Sequence, residues 1–184
     1  MDDSSKHLFL SDLRAMQDIL LRHQITPKSF VFPKNQIEYL DYLSTSSIEI
    51  YRAPDHYWYS KFPGVLKKIM RQFDYILPIC PKVFDIERDN HGLYYTRGSL
   101  LFKKNHFGLK KHIPMRTYQI KAKKGIDRAI REKRTFHLWF HPFNFAYDEE
   151  SHFNSLENVL IYAREAESQG KLRICTMKDL IPNI

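Results

Sequence analysis

The chain has 184 residues, a formal net charge of +8, and 43% hydrophobic and 14% aromatic residues. This composition excludes a disordered chain and suits a single domain with a buried core. No run of about 18 apolar residues occurs, and the acidic start lacks the pattern of a secretory signal. We therefore predict no membrane span and expect a cytoplasmic location. The positive charge favours anionic partners without selecting one class of them.

The two cysteines predict neither a disulfide nor a zinc site. Cys80 and Cys175 are far apart in the sequence, and neither belongs to a Cys-x-x-Cys or Cys/His zinc spacing. Each follows an isoleucine, so both are expected to be reduced thiols within the core.

Apolar periodicity at the start of the chain predicts a helix, a strand and a second helix. Ser11 is the expected N-cap of a helix that runs to about residue 23. Residues 29–32 predict a short apolar strand, which a proline closes. Asn35 is then the expected cap of a helix that reaches about Leu43.

A second strand and helix follow, and then a hairpin. Residues 48–51 predict the strand, and Pro63 opens a helix whose apolar residues are expected to face inward. Between residues 82 and 107, β-forming residues surround a turn at residues 90–92, which indicates a hairpin-like excursion. The inward residues expected of the helix are Val65, Leu66, Ile69 and Phe73.

A basic amphipathic helix is predicted after Pro114. It runs to about residue 131, with apolar residues on one face and Lys and Arg residues on the outer face. Because no stacking aromatic residues or recognised nucleic-acid motif accompany these cations, a solvated face is favoured over a specific nucleic-acid interface. The cations are Arg116, Lys121, Lys123, Lys124, Arg128, Arg131, Lys133 and Arg134.

The rest of the chain predicts a strand at residues 135–141, a helix, a last strand and a last helical turn. The helix begins at about residue 155 and ends at Gly170. The last strand covers residues 172–176, and the turn covers residues 177–180. The residues that the helix is expected to bury are Leu156, Val159, Leu160 and Ala163.

Strands that alternate with helices over short connections imply βαβ units, and so an α/β fold with a parallel sheet or barrel. In such folds, polar residues just past the carboxyl ends of strands form the active face. Three stretches have this position, namely residues 33–36, 52–56 and 141–144. We therefore expect them to contribute to one site.

His141 is the principal catalytic candidate. Along the predicted strand, His137, Trp139 and His141 share one side. Pro142 removes a backbone donor and stops the strand, which places His141 at its carboxyl end. His137 is expected to be structural. Since four residues of strand span roughly 13 Å, these two histidines cannot share one metal ion, and no metal ligand is predicted.

Four segments follow one another in an order typical of one enzyme family. Residues 29–36 (SFVFPKNQ) match its third motif region, residues 50–54 (IYRAP) the strand after it, and residues 136–142 (FHLWFHP) its fifth motif. Residues 172–180 are similar to its usual ending. The chain from about residue 12 onward thus resembles the polysaccharide deacetylases, also called the NodB-homology family or carbohydrate esterase family four, whose fold is a distorted (β/α) barrel.

The first two motifs of that family have no counterpart here. They are an Asp-Asp pair, which supplies the catalytic base and a metal ligand, and a His-x-x-x-His pair, which supplies two more ligands. His7 is followed by Ser11, not by a second histidine. The resemblance therefore implies an incomplete barrel, a single partial domain over residues 1–184 without the amino-terminal metal-binding part. Zinc is the cofactor expected for the family, but its ligands are not found in this chain.

The resemblance also implies a chemistry. In the family, a metal-bound water attacks the N-acetyl carbonyl, an aspartate takes its proton, and the fifth-motif histidine is the general acid. His141 matches that histidine. Trp139 stands where the family has leucine beside the acetyl methyl group, and Arg52 is a candidate for the charge that many members carry near Val31.

The expected substrate-binding residues are Arg52, Asn35, Trp139 and Asn144. Three of them have a second interpretation that the sequence leaves open. Arg52 also suits an ion pair with a carboxylate such as Asp55. Asn35 also suits a helix cap, and Asn144 suits a turn equally well.

Two functions from different classes follow. The first is a polysaccharide deacetylase-like protein, related to metal-dependent hydrolysis of the acetamide bond of N-acetylated sugars and inactive as this truncated chain. The second is a non-catalytic module that binds a glycan or another polyanion. Because an incomplete barrel exposes sheet edges and apolar surface, self-association or a complementing second chain is the further expectation about partners.

Overall fold

A computed structural model describes residues 3–104 and 111–182 of the chain. The chain divides into two compact units. Unit 1 consists of Met1–Pro54, Ile86–Thr96 and Cys175–Ile184, and unit 2 consists of Asp55–Asp85 and Arg97–Ile174. Both contain helices and a parallel strand pair, which confirms the predicted α/β class.

Unit 1 is built on a four-stranded sheet with the order β1-β2-β4-β3. β1 and β2 are parallel, with Val31 opposite Arg52, whereas β3 and β4 are antiparallel. A turn whose Gly92 has a φ of +82° joins β3 to β4, which confirms a hairpin within residues 87–97 of the predicted 82–107. Residues 100–101 instead form a strand of the other sheet, and residues 105–107 lie outside the described residues. The strands are β1 (Ser29–Val31), β2 (Ile50–Ala53), β3 (Glu87–Arg88) and β4 (Tyr94–Arg97).

The first helix of unit 1, α1 (Asp3–Arg22), begins well before the predicted N-cap at Ser11. The reason is that the apolar spacing extends further toward the amino terminus: Phe9, Leu13 and Met16 all pack on the same core. The buried residues of this core are Leu13, Phe32, Leu43, Ile48, Tyr51, Ala53 and Leu93.

The predicted helix capped by Asn35 is wrong. Lys34 and Asn35 have φ values of 54° and 56°, so they form a left-handed turn after β1 that cannot start an α-helix. The helix that follows, α2 (Leu40–Leu43), is a single turn. β2 also begins two residues later than expected, and it reaches Ala53 directly before Pro54.

Unit 2 has a shorter sheet and longer helices. β5 (Leu100–Leu101) and β6 (Leu138–Trp139) form a parallel pair, and α4 (Met115–Glu132) packs against α5 (Glu149–Ser168). The residues at the centre of this core are Leu100, Phe102, Ile113, Met115, Tyr118, Ala122, Ile126, Phe145, Val159 and Ala163.

α4 confirms the predicted helix after Pro114, but one of its cations is misplaced in the prediction. Tyr118, Ala122 and Ile126 are buried as expected. Lys121, assigned to the outer face, is only 3% exposed, because its ammonium group bonds to Asp74.

α5 begins at Glu149 rather than near residue 155, since the fully buried His152 anchors its first turn. Leu160, expected inside, is 48% exposed. The chain leaves the helix at Gly170, whose φ is +69°. The strand predicted at residues 172–176 does not form, because the Ile174 N–H donates to the Glu167 carboxylate rather than to a neighbouring strand.

The helix that Pro63 opens, α3 (Gly64–Ile76), is present, but its predicted inward face is wrong. The structure describes all residues of α3, and none of them is buried. Its apolar residues Val65, Leu66, Ile69 and Phe73 are exposed, because the helix is attached through Asp74 on its polar side.

Both cysteines are free thiols, but neither is fully buried in the core as predicted. Cys80 is partly buried, and its thiol lies 3.3 Å from the Lys124 carbonyl oxygen. Cys175 is exposed, so the core position predicted for it is wrong. Within the described ranges, no helix combines the length and the apolarity that crossing a membrane requires.

Candidate functional site

The carboxyl end of β6 positions His141. The parallel pair with β5 is held by the Phe102 N–H, which donates to the Trp139 carbonyl oxygen at 2.8 Å. Phe140 and His141 then leave the strand, and Pro142 opens a short 3-10 turn, Pro142–Asn144. His141 therefore lies two residues past the end of β6 and directly before Pro142, but β6 is shorter at both ends than the strand predicted at residues 135–141.

Two aromatic rings flank the imidazole of His141. Its ring stacks on Phe143 with a centroid distance of 4.9 Å and an interplanar angle of 9°. Trp139 meets it edge to face at 5.4 Å and 88°. His141 and Phe143 are both exposed, and Trp139 is half-buried. We call Trp139, His141 and Phe143 the aromatic wall.

Asn144 closes the turn that carries this wall. Its side-chain oxygen accepts the His141 backbone N–H at 3.3 Å, and its own backbone N–H donates to the His141 carbonyl oxygen at 2.9 Å. These two bonds fix the backbone of His141 relative to Asn144. Asn144 therefore has a turn role, and its contact with a substrate stays a prediction.

An acidic residue that the site prediction left out lies beside Trp139. A Cβ atom added at Gly98 would collide with Asp55 Oδ1 and would lie 2.7 Å from Trp139 Nε1, so both atoms converge on the same small space. The other carboxylate oxygen of Asp55 accepts the Tyr57 hydroxyl at 2.8 Å. Gly98 leaves room for this convergence because it lacks a side chain.

The surroundings of Asp55 favour the protonated, neutral form of Tyr57 and Tyr59. Burial raises the pKa of the Tyr57 phenol, and the Asp55 carboxylate raises it further. Burial likewise raises the pKa of Tyr59, whose ring stacks on Tyr57 at 5.1 Å. By contrast, desolvation, followed by Lys82 and Arg97, lowers the pKa of the exposed His56.

The remaining two predicted site residues contact each other in unit 1. Arg52, which is 6% exposed, donates from Nη2 to the side-chain oxygen of Asn35. The parallel register of β1 and β2 explains this contact, because it places the chain after Val31 beside Arg52. The structure therefore pairs Arg52 with Asn35.

The predicted site residues thus fall into two sets. Arg52 and Asn35 belong to unit 1, and Trp139, His141 and Asn144 belong to unit 2. The convergence of the three strand-end stretches in one site stays a prediction. The His137 backbone N–H donates to the Ser99 hydroxyl at 3.1 Å, and the structural role expected of its side chain stays a prediction.

The sequence could have drawn attention to Asp55, because it lies in one of the stretches that follow a strand. Its convergence with Gly98 and Trp139, however, joins three segments that are distant along the chain, and no local pattern encodes it. Among residues 3–104 and 111–182, no three His, Cys, Asp or Glu side chains are grouped so that they could hold a metal ion.

Comparison of the chain with protein-family models, with curated proteins and with solved structures finds no significant match.

Proposed function

We propose that this chain carries the proton-donating and acetyl-binding part of a carbohydrate deacetylase site. The reaction would hydrolyse the acetamide C–N bond of an N-acetylated sugar. The observation that supports it best is the exposed imidazole of His141, which lies two residues past the end of β6 and is held between Trp139 and Phe143. The resemblance of residues 136–142 to the fifth deacetylase motif points to the same residue.

His141 is the proposed general acid. In hydrolysis, the oxygen of water joins the carbonyl carbon, the C–N bond breaks, and the departing amine nitrogen needs a proton. An imidazole at the surface of a strand end can reach a bound sugar, and histidine suits proton transfer near neutral pH. Its stacking on Phe143 and the two bonds of Asn144 hold the imidazole and its backbone in place.

Trp139 is the proposed contact for the acetyl group. Its half-buried indole offers an apolar edge next to His141, and apolar contact is what an acetyl methyl group requires. Asp55 and Gly98 are positioning residues in this proposal, because both lie against the indole nitrogen of Trp139. Arg52 and Asn35 contact each other in unit 1, and the substrate-binding roles that the sequence suggests for them stay a prediction.

Zinc would polarise the carbonyl and activate the water in such an enzyme. The described residues do not fit a zinc ion, since they contain no group of three ligands. No step of the proposed reaction is therefore assigned to a metal ion that these residues hold. A second chain or a further segment is the proposed source of those ligands.

The fold that belongs to this proposal is an incomplete distorted (β/α) barrel of the deacetylase type. Its support is the parallel pairing of β1 with β2 and of β5 with β6, each followed by a polar turn. Parallel strands with polar residues past their carboxyl ends are the usual framework of barrel active sites.

Calorimetric titration with two oligosaccharides tests the proposal. We expect a hexamer of N-acetylglucosamine to bind about tenfold more tightly than a hexamer of glucosamine, which lacks the acetyl groups. His141→Ala and Trp139→Ala should each remove that preference. His112→Ala, which changes an exposed histidine of the same unit, should not. Equal affinity for both sugars, or a preference that survives His141→Ala, contradicts the proposal.

Acetate release gives a second readout. Because the described residues group no metal ligands, we expect the chain alone to release no acetate from N-acetylglucosamine oligomers when zinc is added. If the wild-type chain does release acetate and His141→Ala does not, the result supports His141 as the general acid. It also contradicts the proposal that the site is incomplete.

The exposed aromatic wall also supports a second candidate function, binding of glycans without turnover, because aromatic faces stack on sugar rings. The basic helix gives less support to polyanion binding. Several of its cations bond within the protein: Lys121 with Asp74, Arg128 with Glu132 and Arg134 with Asp85. Salt-sensitive binding of a sulfated glycan that is unchanged in His141→Ala would favour this second function.

A further inference from the structure

Helix α3 presents a continuous apolar surface to the outside of the molecule. Six of its side chains, including Leu77 just past its end, are between 43% and 71% exposed. An amphipathic helix ordinarily packs its apolar face on the core. The residues of this surface, which we call the α3 strip, are Val65, Leu66, Ile69, Phe73, Ile76 and Leu77.

The other side of α3 explains why the strip faces outward. Asp74 accepts a hydrogen bond from Trp58 Nε1 at 2.8 Å and pairs with the buried Lys121, also at 2.8 Å. Tyr75 packs on the core of unit 2. Because these contacts hold the polar side of the helix, the apolar side has no covering element among residues 3–104 and 111–182.

The residues of the strip have the spacing of a coiled-coil interface. Leu66, Ile69, Phe73 and Ile76 follow one another at i, i+3, i+7 and i+10, which is the a and d pattern of two heptads. The flanking e and g positions are occupied by Val65, Met70, Gln72 and Leu77, none of which is charged.

The charges of α3 lie away from this surface. Lys67, Lys68, Arg71 and Asp74 occupy the b, c and f positions of the same heptads. Two copies of the strip can therefore meet without placing like charges opposite each other. A membrane-surface helix also carries Lys and Arg on its polar face, as α3 does with Lys67, Lys68 and Arg71, so the test includes a lipid surface as one outcome.

The size of the strip also fits a pair of identical chains. At roughly 150–200 Å² for a whole side chain, six half-exposed apolar residues offer on the order of 500 Å². Two such strips bury about 1,000 Å² in total, which is the lower limit for a specific interface. The same patch used on both partners gives the twofold contact that is most common among soluble oligomers.

We propose that the α3 strip is the contact surface between two copies of this chain. The interface is isologous: the a and d residues of one α3 pack against those of its partner, and the aromatic ring of Phe73 lies at its centre. The inference does not depend on the sugar chemistry of the aromatic wall, which lies on β6 and the turn after it.

Sedimentation velocity over a range of micromolar concentrations tests the proposal. The wild-type chain should form a dimer, and Ile69→Lys/Phe73→Lys should weaken dimerisation at least tenfold. The helical circular dichroism of the variant should stay unchanged, because both side chains are exposed. Arg71→Ala, on the opposite side of the same helix, is the matched control and should dimerise like the wild type.

Three results would overturn the inference. The first is a wild-type chain that stays monomeric at the highest concentration. The second is a dimer that persists in Ile69→Lys/Phe73→Lys. The third is a monomer that floats with vesicles containing phosphatidylserine and loses that binding in the same variant, because this would make a lipid surface the occupant of the strip.

Discussion

Lys121 Nζ lies 2.8 Å from Asp74 Oδ2, and this pair joins α4 to α3. The side chains are only 4% and 17% exposed. The ammonium group also donates to the Asp74 carbonyl oxygen, and Trp58 Nε1 donates to the second carboxylate oxygen. Both charges therefore have bonded partners in place of water, which a buried ion pair requires.

Removal of Lys121 should be strongly destabilising. Lys121→Met leaves the Asp74 carboxylate buried without its cation, and we expect the free energy of unfolding to fall by about 3–5 kcal/mol. The double variant Lys121→Met/Asp74→Asn should be more stable than the single variant, because the asparagine is neutral and still accepts the Trp58 bond. Urea denaturation followed by circular dichroism measures all of these values.

The control for this experiment is a lysine on the same helix. Lys123 lies 5.1 Å from the centroid of the Tyr162 ring, a cation–π contact worth about 1 kcal/mol or less. Lys123→Met should therefore cost far less than Lys121→Met. Equal losses would show that the Asp74 pair does not stabilise unit 2 beyond an ordinary surface contact.

The sequence predicted those elements whose signals are local. Pro114 and the apolar spacing after it gave α4, and Gly92 and Gly170, both with positive φ, lie at the predicted turn and helix end. β1 was also predicted, because a proline follows it, whereas the strand predicted at residues 135–141 is present only as β6.

What the sequence did not predict depends on contacts between distant segments. The orientation of α3 follows from the buried Lys121, a residue that local periodicity assigns to solvent. Asn35 forms a left-handed turn that lets it meet Arg52, and Asp55 approaches Trp139 only because Gly98 leaves the space. Such pairings override local propensity, and a single sequence contains no direct record of them.

Gly98→Ala should disturb the aromatic wall without unfolding the protein. The new methyl group would collide with Asp55 Oδ1 and approach Trp139 Nε1, so one of these side chains must move. We expect a shifted tryptophan emission maximum and weaker binding of the N-acetylglucosamine hexamer. Trp58→Phe, used as a common background, leaves Trp139 as the sole source of that emission.

The matched control is Gly170→Ala. That position has a φ of +69° but open space around it, so alanine there strains the backbone by roughly 1–2 kcal/mol and meets no neighbouring atom. Its tryptophan emission should equal that of the background protein. If Gly98→Ala and Gly170→Ala change emission alike, the effect of the first is global and the assigned convergence at Gly98 is wrong.

Tyr57 should make the fold sensitive to alkaline pH. Its folded pKa is raised above the ordinary value of 10.0 by burial and by the Asp55 carboxylate. The folded protein therefore keeps the phenolic proton at a pH where the unfolded chain loses it. The resulting stabilisation is complete below pH 10.0 and is lost as the pH rises further.

Tyr57→Phe tests this dependence. The variant has no ionisable group at that position, so above pH 10.0 its free energy of unfolding should fall less steeply than that of the wild type. The two slopes should differ by at most about 1.4 kcal/mol per pH unit, the value for one proton. Urea denaturation at successive pH values gives both slopes. Parallel curves would show that the pH dependence does not come from Tyr57.

His152 should stabilise unit 2 through one buried acceptor. Its side chain is 0% exposed, and Nε2 accepts the Lys104 backbone N–H at 3.1 Å. Nδ1 lies 2.8 Å from the Asp148 carbonyl oxygen. Because Nε2 is the acceptor, Nδ1 is the ring nitrogen that donates the second bond.

His152→Leu keeps an apolar side chain against Phe145 but leaves the Lys104 N–H without its acceptor. We expect a loss of about 1–3 kcal/mol in the free energy of unfolding and faster hydrogen exchange at the Lys104 amide. His152→Gln retains an acceptor and should lose less, and His112→Leu, at an exposed position, should lose almost nothing. Urea denaturation and amide exchange measured by NMR distinguish these cases, since a loss caused by poor packing alone would leave the Lys104 exchange rate unchanged.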